Sequence, residues 1–356
     1  MPKLKGRTVP KRRLVSLSFL LVALGVAALF QPIPYVLERP GPLFNTLGSI
    51  DGKQLVAISG TQTYPTGGEL NMTTVSVYGG PEEGIDLFQA IQGWLDPEIS
   101  VTPREAIYPD WLTEDEDQQM SVADFSESQN SATAAALDYL GLPIKSQIFV
   151  GSVSIDFPAD GKLEPGDVLL AINGREVTTA KQAVTLIRSG KVGQVISLSL
   201  LRNGLTKVVK IRSVQHPELK NTPYIGIGVD TKFESDFKID FEVSNVGGPS
   251  GGMMFALSII DKLTPGFLSG GKIIAGTGTI DSDGQVGAIG GIVQKISASS
   301  SHGAKLFLAP RENCSDLVGH IPENLVVTPV STLTEAVTAL TDFKNGKKLP
   351  SCPAAN

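Results

Sequence analysis

Cysteine and histidine are scarce in this chain. Two cysteines, Cys314 and Cys352, stand too far apart for a C-x-x-C or any other metal-type spacing, which leaves a thiolate–metal site without support. In an oxidising compartment they can pair; otherwise they are two free thiols. Histidine occurs three times, at His216, His302 and His320, so any imidazole chemistry must draw on one of these. A basic balance is also missing: the 356 residues carry a net charge of −6. Acids are absent from the first 30 positions, which hold Lys3, Lys5, Arg7, Lys11, Arg12 and Arg13, so the remainder carries −12. That balance excludes a nucleic-acid-binding chain. No repeat at solenoid spacing is present. With 41% hydrophobic and 19% charged residues the chain is globular, and its length suits two or three domains.

What is present begins with "LVSLSFLLVALGVAALF", residues 14–30, a run without charge. As a helix it would reach about 25 Å, near the lower limit for crossing a bilayer and longer than the apolar core of a cleaved signal peptide. Pro32 and Pro34 end it. The expectation is one N-terminal transmembrane helix: residues 1–13 a cytoplasmic basic tail, 14–30 an uncleaved anchor in the plasma-membrane bilayer, and everything beyond it extracellular.

Residues 40–140 read as strands such as "TTVSVYGG" (73–80) and a helix over 85–95 with Ile85, Phe88, Ile91 and Leu95 on one face. An acidic, turn-rich stretch (109–120) is a solvated loop or a helix start. A further helix covers 128–143, ended by Gly141 and Pro143. Residues 144–214 change character. The strand "IFVGSVS" leads to a turn at Glu164–Asp167, the buried strand "VLLAI" and an Asn173-Gly174 hairpin turn. An amphipathic helix carries Ala180, Ala183, Val184 and Ile187, and a hairpin turns at Asn203-Gly204. This order, with "GKLEPGDVLLAING", resembles a PDZ domain of the bacterial type, a small β-sandwich or barrel. The resemblance implies a groove in which an extended peptide adds as one more strand. Its position is expected between helix 179–189 and the strand that holds Ile148, Phe149, Val150 and Gly151.

Residues 222–345 alternate strands and helices, an α/β pattern, and 346–356 form a tail. "GGMMFALSIIDKL" is apolar on nearly every side and is therefore a buried helix. Before it stands Gly248-Pro249-Ser250-Gly251-Gly252, a formal G-x-S-x-G. A serine hydroxyl is a poor nucleophile until a base is held against it. Asp281 or Asp283 with His302 or His320 meets the chain order of a Ser-His-Asp esterase. That order is cheap among 36 acids, and the HGGG-type oxyanion motif is missing. The other base is a lysine made neutral by burial. Lys295 fits: "AIGGIVQKISAS" holds no other charge, and Ile289, Ile292 and Ile296 surround it.

"GGPSGG" with "GTGTIDSDGQVGAIGGIVQKI" resembles the proteolytic domain of Lon-type proteases, which use a Ser–Lys dyad. The resemblance implies Ser250 as nucleophile, Lys295, four residues after Gly290-Gly291, as general base, and Thr277 as the residue that orients the amine. Many members carry an Asp three residues before the serine; here Gly247 stands there. Gly248 and Gly251 are candidates to support the oxyanion. "GFLSGGKI" (266–273) imitates a phosphate loop, but Ile273 replaces the required Ser or Thr, so no ATP is expected. Anchor, PDZ-like segment and Lon-like domain together resemble the PDZ-containing Lon-type proteases of Gram-positive and actinobacterial membranes, over residues 14–345. The resemblance implies an ATP-independent serine endopeptidase without cofactor or metal. It would act on unfolded or exposed protein segments, possess a PDZ domain that docks substrate, and assemble with copies of itself as a ring. Residues 40–140 would pack on the protease domain. The rival reading is a catalytically inactive PDZ peptide-binding module.

Overall fold

The computed structural model describes residues 11–109, 112–243 and 246–352. Residues 1–10 of the basic tail and 353–356 of the C-terminal tail lie outside the described residues. In chain order the principal elements are α1 (Lys11–Leu29), β1 (Tyr35–Asn45), β2 (Glu69–Tyr78), α2 (Leu87–Leu95), β3 (Ser100–Pro103), α3 (Glu114–Tyr139), β4 (Lys145–Val153), β5 (Val168–Ile172), α4 (Ala180–Arg188), β6 (Val195–Arg202), β7 (Leu205–Arg212), β8 (Ile227–Glu234), α5 (Gly252–Leu263), β9 (Ile273–Gly276), α6 (Ile292–Ser301), β10 (Leu306–Pro310), β11 (Val326–Val330) and α7 (Leu333–Lys344). The fold is mixed α/β.

The expected membrane anchor, and with it the plasma-membrane, single-pass location, is corrected. Among the described residues no helix is long and apolar enough to cross a membrane. The apolar run does lie in α1, but that helix opens on Lys11, Arg12 and Arg13 and ends at Leu29. The uncharged helical part spans only about 24 Å at 1.5 Å per residue, against about 30 Å of hydrocarbon. Phe30, the last residue of the run, lies beyond the helix, and the helix's first turn is cationic.

The chain forms two compact units. The larger holds the residues up to 57, 62–132 and those from 240 onward; the smaller holds 58–61 and 133–239 and is inserted in the chain of the first. The larger unit is built on a six-stranded sheet in the order β11-β10-β9-β2-β1-β3. The pairs β11/β10, β10/β9 and β9/β2 are parallel, whereas β1 runs antiparallel to β2 and β3. All five residues of β10, "LFLAP", are buried, the unbroken apolar run of a strand covered on both faces. Helix α5 is buried from Gly252 to Lys262, as its apolar circumference requires. Phe255, Met72, Leu70 and Phe307 are among the large, fully buried side chains here, each worth about 1.5–3 kcal/mol of burial.

Helix α3 begins at Glu114, well before the expected 128. The acidic stretch is its first turn: Glu114, Asp115, Glu116 and Asp117 face the positive end of the helix dipole. Thr113 and Glu116 exchange hydrogen bonds there, Thr113 N to the Glu116 carboxylate and Glu116 N to Thr113 Oγ1. Cys314 and Cys352 form a disulfide that ties the tail to a short 3₁₀ segment, Arg311–Leu317.

The smaller unit is an antiparallel sheet in the order β7-β6-β5-β4-β8 with α4 against it. Ile148, Val150, Leu169, Ile172, Leu198, Leu200 and Ile211 make its core. Asn173 (φ 52°) with Gly174 (φ 77°), and Asn203 (φ 53°) with Gly204 (φ 76°), adopt the positive φ that their tight hairpins demand. Strand β8 comes from the 222–345 segment, yet it pairs in this sheet, with Ile227 opposite Val153 and Glu234 opposite Lys145. This corrects the expected peptide-binding strand. Ile148, Phe149 and Val150 face Thr231, Asp230 and Val229 across the ladder, Phe149 also pairs with Val168 of β5, and Gly151 abuts the Asp230 side chain. β4 is thus interior, and no edge remains there for a peptide. The terminal strand is β8, which lies beside α4.

Candidate active site

Ser250 stands at the end of a loop that enters α5. Gly248 gives the loop its turn with φ +78°. Helix α3 holds the loop from the side: Gly248 N donates to Ser121 O at 3.0 Å, and Ser128 Oγ donates to Pro249 O at 3.0 Å. A Cβ on Gly247 would lie 1.8 Å from Ser121 Oγ, so an Asp at this position has no room in this packing. The Ser250 carbonyl is fixed by Gly278 N at 2.8 Å and by Thr277 Oγ1 at 3.0 Å.

Lys295 reaches Ser250 from α6. That helix is preceded by its N-cap residue Gly291, whose φ of +66° and a would-be Cβ contact of 2.5 Å with Val75 leave no place for a side chain. The Lys295 amide bonds to Gly291 O at 3.1 Å, and the loop before the helix is clamped by Asn313. Ile289 N donates to Asn313 Oδ1 at 2.9 Å, and Asn313 Nδ2 donates back to Ile289 O at 3.0 Å. The Lys295 Nζ lies 3.0 Å from Ser250 Oγ and 3.3 Å from Thr277 Oγ1. Residues 45 apart in sequence thus meet at their tips, and Thr277 bridges the amine and the serine carbonyl.

Lys295 is 3% exposed and Thr277 is 0% exposed. Burial pulls the Lys295 amine down from 10.5 to about 8, with the charge of Glu38 opposing that shift. The reading of a lysine without a neighbouring acid is therefore corrected. The acid comes from β1, more than 200 residues away, where no local pattern could reveal it. Its own carboxyl is raised by burial, an effect that Lys295 partly offsets. The isoleucines Ile292 and Ile296 pack in a core cluster with Phe307 and Leu317. The cavity at the amine is lined chiefly by β1, β2 and the 246–251 loop.

That cavity measures about 580 Å³ and holds Ser250, Lys295, Glu38, Met72, Phe125 and Gly251 among its walls. Of the two proposed oxyanion supports, Gly248 has its N–H committed to Ser121. Gly251 lines the cavity directly before α5, whose own first amides are engaged: Gly252 N donates to Pro249 O, Met253 N to Gly278 O and Met254 N to Gly251 O. None of the three histidines lines it. His302 caps α6 and sits 3.3 Å from Glu69, His216 accepts two backbone N–H groups of its own loop, and His320 is exposed. Asp281 closes a turn by accepting from Asp283 N and Gln285 N. Lys272, of the phosphate-loop look-alike, lies 4.1 Å from the centre of the Phe343 ring. Among the described residues no cluster of three or more His, Cys, Asp or Glu side chains could hold a metal. Sequence reading missed Glu38, Asn313, Ser121 and Ser128. Only Glu38 carried a signal, an acid directly after the apolar strand start "YVL" and next to Arg39.

Residues 123–212 match the family model for the PDZ domain. The chain is 30% identical over 166 residues to the Lon protease of Aster yellows witches'-broom phytoplasma, covering 45% of this chain and 19% of that protein. It is 31% identical over 166 residues to the Lon protease of Clostridioides difficile, covering 46% and 19%, and 34% identical over 102 residues to the archaeal Lon protease of Methanocaldococcus jannaschii, covering 29% and 15%. It thus spans about a fifth or less of the length of these relatives. Among solved structures, the PDZ domain of the SdrC-like protein from Listeria monocytogenes is 28% identical, covering 23% of this chain and 85% of that one with a TM-score of 0.22. The chain contains a PDZ domain and, over part of its length, is similar to Lon proteases.

Proposed function

We propose that this chain is a serine endopeptidase of the Lon type that works without ATP on unfolded or exposed protein segments, with the larger unit as its proteolytic part. The observation that carries this reading is a desolvated amine 3.0 Å from a serine hydroxyl at the mouth of a buried helix. Uncharged, Lys295 takes the proton of Ser250 as Oγ attacks a peptide carbonyl. The oxyanion that forms is met by the Gly251 N–H, directly before α5. Lys295, now an ammonium, returns the proton to the departing amine, and an acyl-enzyme remains. Water, activated by the same amine, then releases the acid. Thr277 holds Nζ on line throughout. The PDZ domain docks an extended substrate segment as an added strand, at the edge of β8 beside α4.

The test is turnover of unfolded casein by the full chain and by Ser250→Ala, Lys295→Ala and His302→Ala, with and without ATP. The proposal expects loss in the first two variants, retention in the third, and no response to ATP. Loss in the serine and histidine variants, with the lysine variant still active, would establish the esterase arrangement. No turnover by the parent chain, with peptide binding intact, would leave a PDZ binding module.

A further inference from the structure

The geometry points to Glu38 as a selector for peptides that carry a lysine or arginine side chain beside the bond to be cut; this rests on the endopeptidase reading above. β1 alternates, and Leu37, 1% exposed, packs on the opposite face against Ile85 and Ala90. Glu38 accordingly faces the cavity that holds Ser250 and Lys295. In the wall of that cavity Glu38 and Lys295 are the charged residues; Met72, Val75, Phe44, Phe125 and the glycines are neutral. Lys295 must be uncharged to act as a base, so the working cavity carries the single negative charge of Glu38.

That carboxylate has little solvent and no dedicated partner. It is half-buried, and among the described residues no cation lies within ion-pair distance and no hydrogen-bond donor is directed at it. The neighbouring Arg39 is turned to the Tyr78 ring, 5.2 Å from its centre. Burial raises the Glu38 carboxyl, as expected for an ion short of compensation. Negative charge continues toward α3: the Tyr108 phenol is raised by burial and then by Asp117 and Glu38. A substrate ammonium or guanidinium entering this volume restores the lost solvation with a charge-assisted bond. A substrate carboxylate would meet repulsion from the same group. The cavity, at about 580 Å³, has room for an arginine side chain beside the scissile bond.

The test uses peptides that differ only in one residue, arginine or its uncharged isostere citrulline, placed in turn at each position flanking a single cleaved bond. Assays run at pH 9, where Lys295 is largely neutral and arginine is charged. The full chain should favour arginine at one position by about tenfold in kcat/KM, the size expected of a hydrogen-bonded ion contact that is partly shielded from water. Glu38→Gln, which keeps the shape, should bring the ratio near one; Glu38→Asp should keep a reduced preference. Binding of the same peptides to Ser250→Ala and to Ser250→Ala/Glu38→Gln, read by fluorescence anisotropy, gives the same ratio without turnover. Absence of an arginine preference, or a preference unchanged in Glu38→Gln, overturns the selector. If nothing is cleaved but binding still favours arginine through Glu38, the endopeptidase reading fails and the selector stands.

Discussion

Replacing Lys295 by methionine should make this protein more stable as it abolishes turnover. Methionine has nearly the length of the lysine stem and carries no charge. At 3% exposure the ammonium lies where water cannot solvate it, and its proton is held only below about 8 instead of 10.5. At about 1.36 kcal/mol per pH unit, the charged amine opposes folding by about 3 kcal/mol at neutral pH. The sign follows from proton binding. Below about pH 8 folded and unfolded chains are both protonated at Lys295, and the penalty is complete. Between about 8 and 10.5 the unfolded chain holds a proton that the folded chain has released, so wild-type stability climbs with pH; above 10.5 the penalty is gone. Methionine also forfeits the contacts to Ser250 and Thr277, at about 1 kcal/mol. The net gain at pH 7 is about 2 kcal/mol, or about 4–8 °C in Tm for a unit of this size. It should vanish or reverse by pH 10.5. Urea unfolding of both proteins, followed by circular dichroism at pH 7, 9 and 10.5, measures this. A variant no more stable at pH 7, or one whose advantage ignores pH, would refute the desolvated amine, and with it the base in the proposed mechanism.

Three further outcomes follow from the same contacts. The kcat/KM of peptide cleavage should rise about tenfold per pH unit from pH 6 and level off near 8, because only the neutral Lys295 accepts a proton; a flat profile would argue for another base. Arg202→Ala should destabilise the smaller unit, because it leaves a carboxylate without its cation. It strips Asp167, 1% exposed, of the guanidinium that overrides burial and holds its carboxyl below 3.8; the deficit should shrink under strong acid, as urea midpoints at pH 7 and pH 3 would reveal. Cys352→Ser opens a loop of 38 residues and should cost about 4 kcal/mol by chain entropy, an effect that reducing agent reproduces in the parent and leaves unchanged in the variant.

Local chemistry made much of this protein legible before any coordinates. The Asn-Gly pairs at 173–174 and 203–204 could only be tight hairpin turns, since few residues accept positive φ. The all-apolar circumference of "GGMMFALSIIDKL" demanded burial on every side, and α5 has it. A serine at the head of that helix and an uncompensated lysine behind two glycines named a pair worth bringing together, and Nζ and Oγ stand 3.0 Å apart. Pattern read along the chain was less safe at the edges of elements. Pro32 and Pro34 bounded the helix of residues 14–30 without fixing its last residue, Leu29, and the acidic stretch before 128 hid a capped helix start.

What tertiary structure alone decided is which distant groups share a space. β8 takes the edge of β4 that a peptide was expected to use, because backbone pairing is nearly indifferent to side-chain identity and depends on which strand arrives. Glu38 acts on Lys295 across more than 200 positions of sequence, and Ser121, Ser128 and Asn313 hold the two active loops from elements with no motif of their own. Sequence states what each side chain is able to do. Electrostatic and hydrogen-bonding effects fall off over a few ångströms, so only the folded chain determines which of those abilities act on one another.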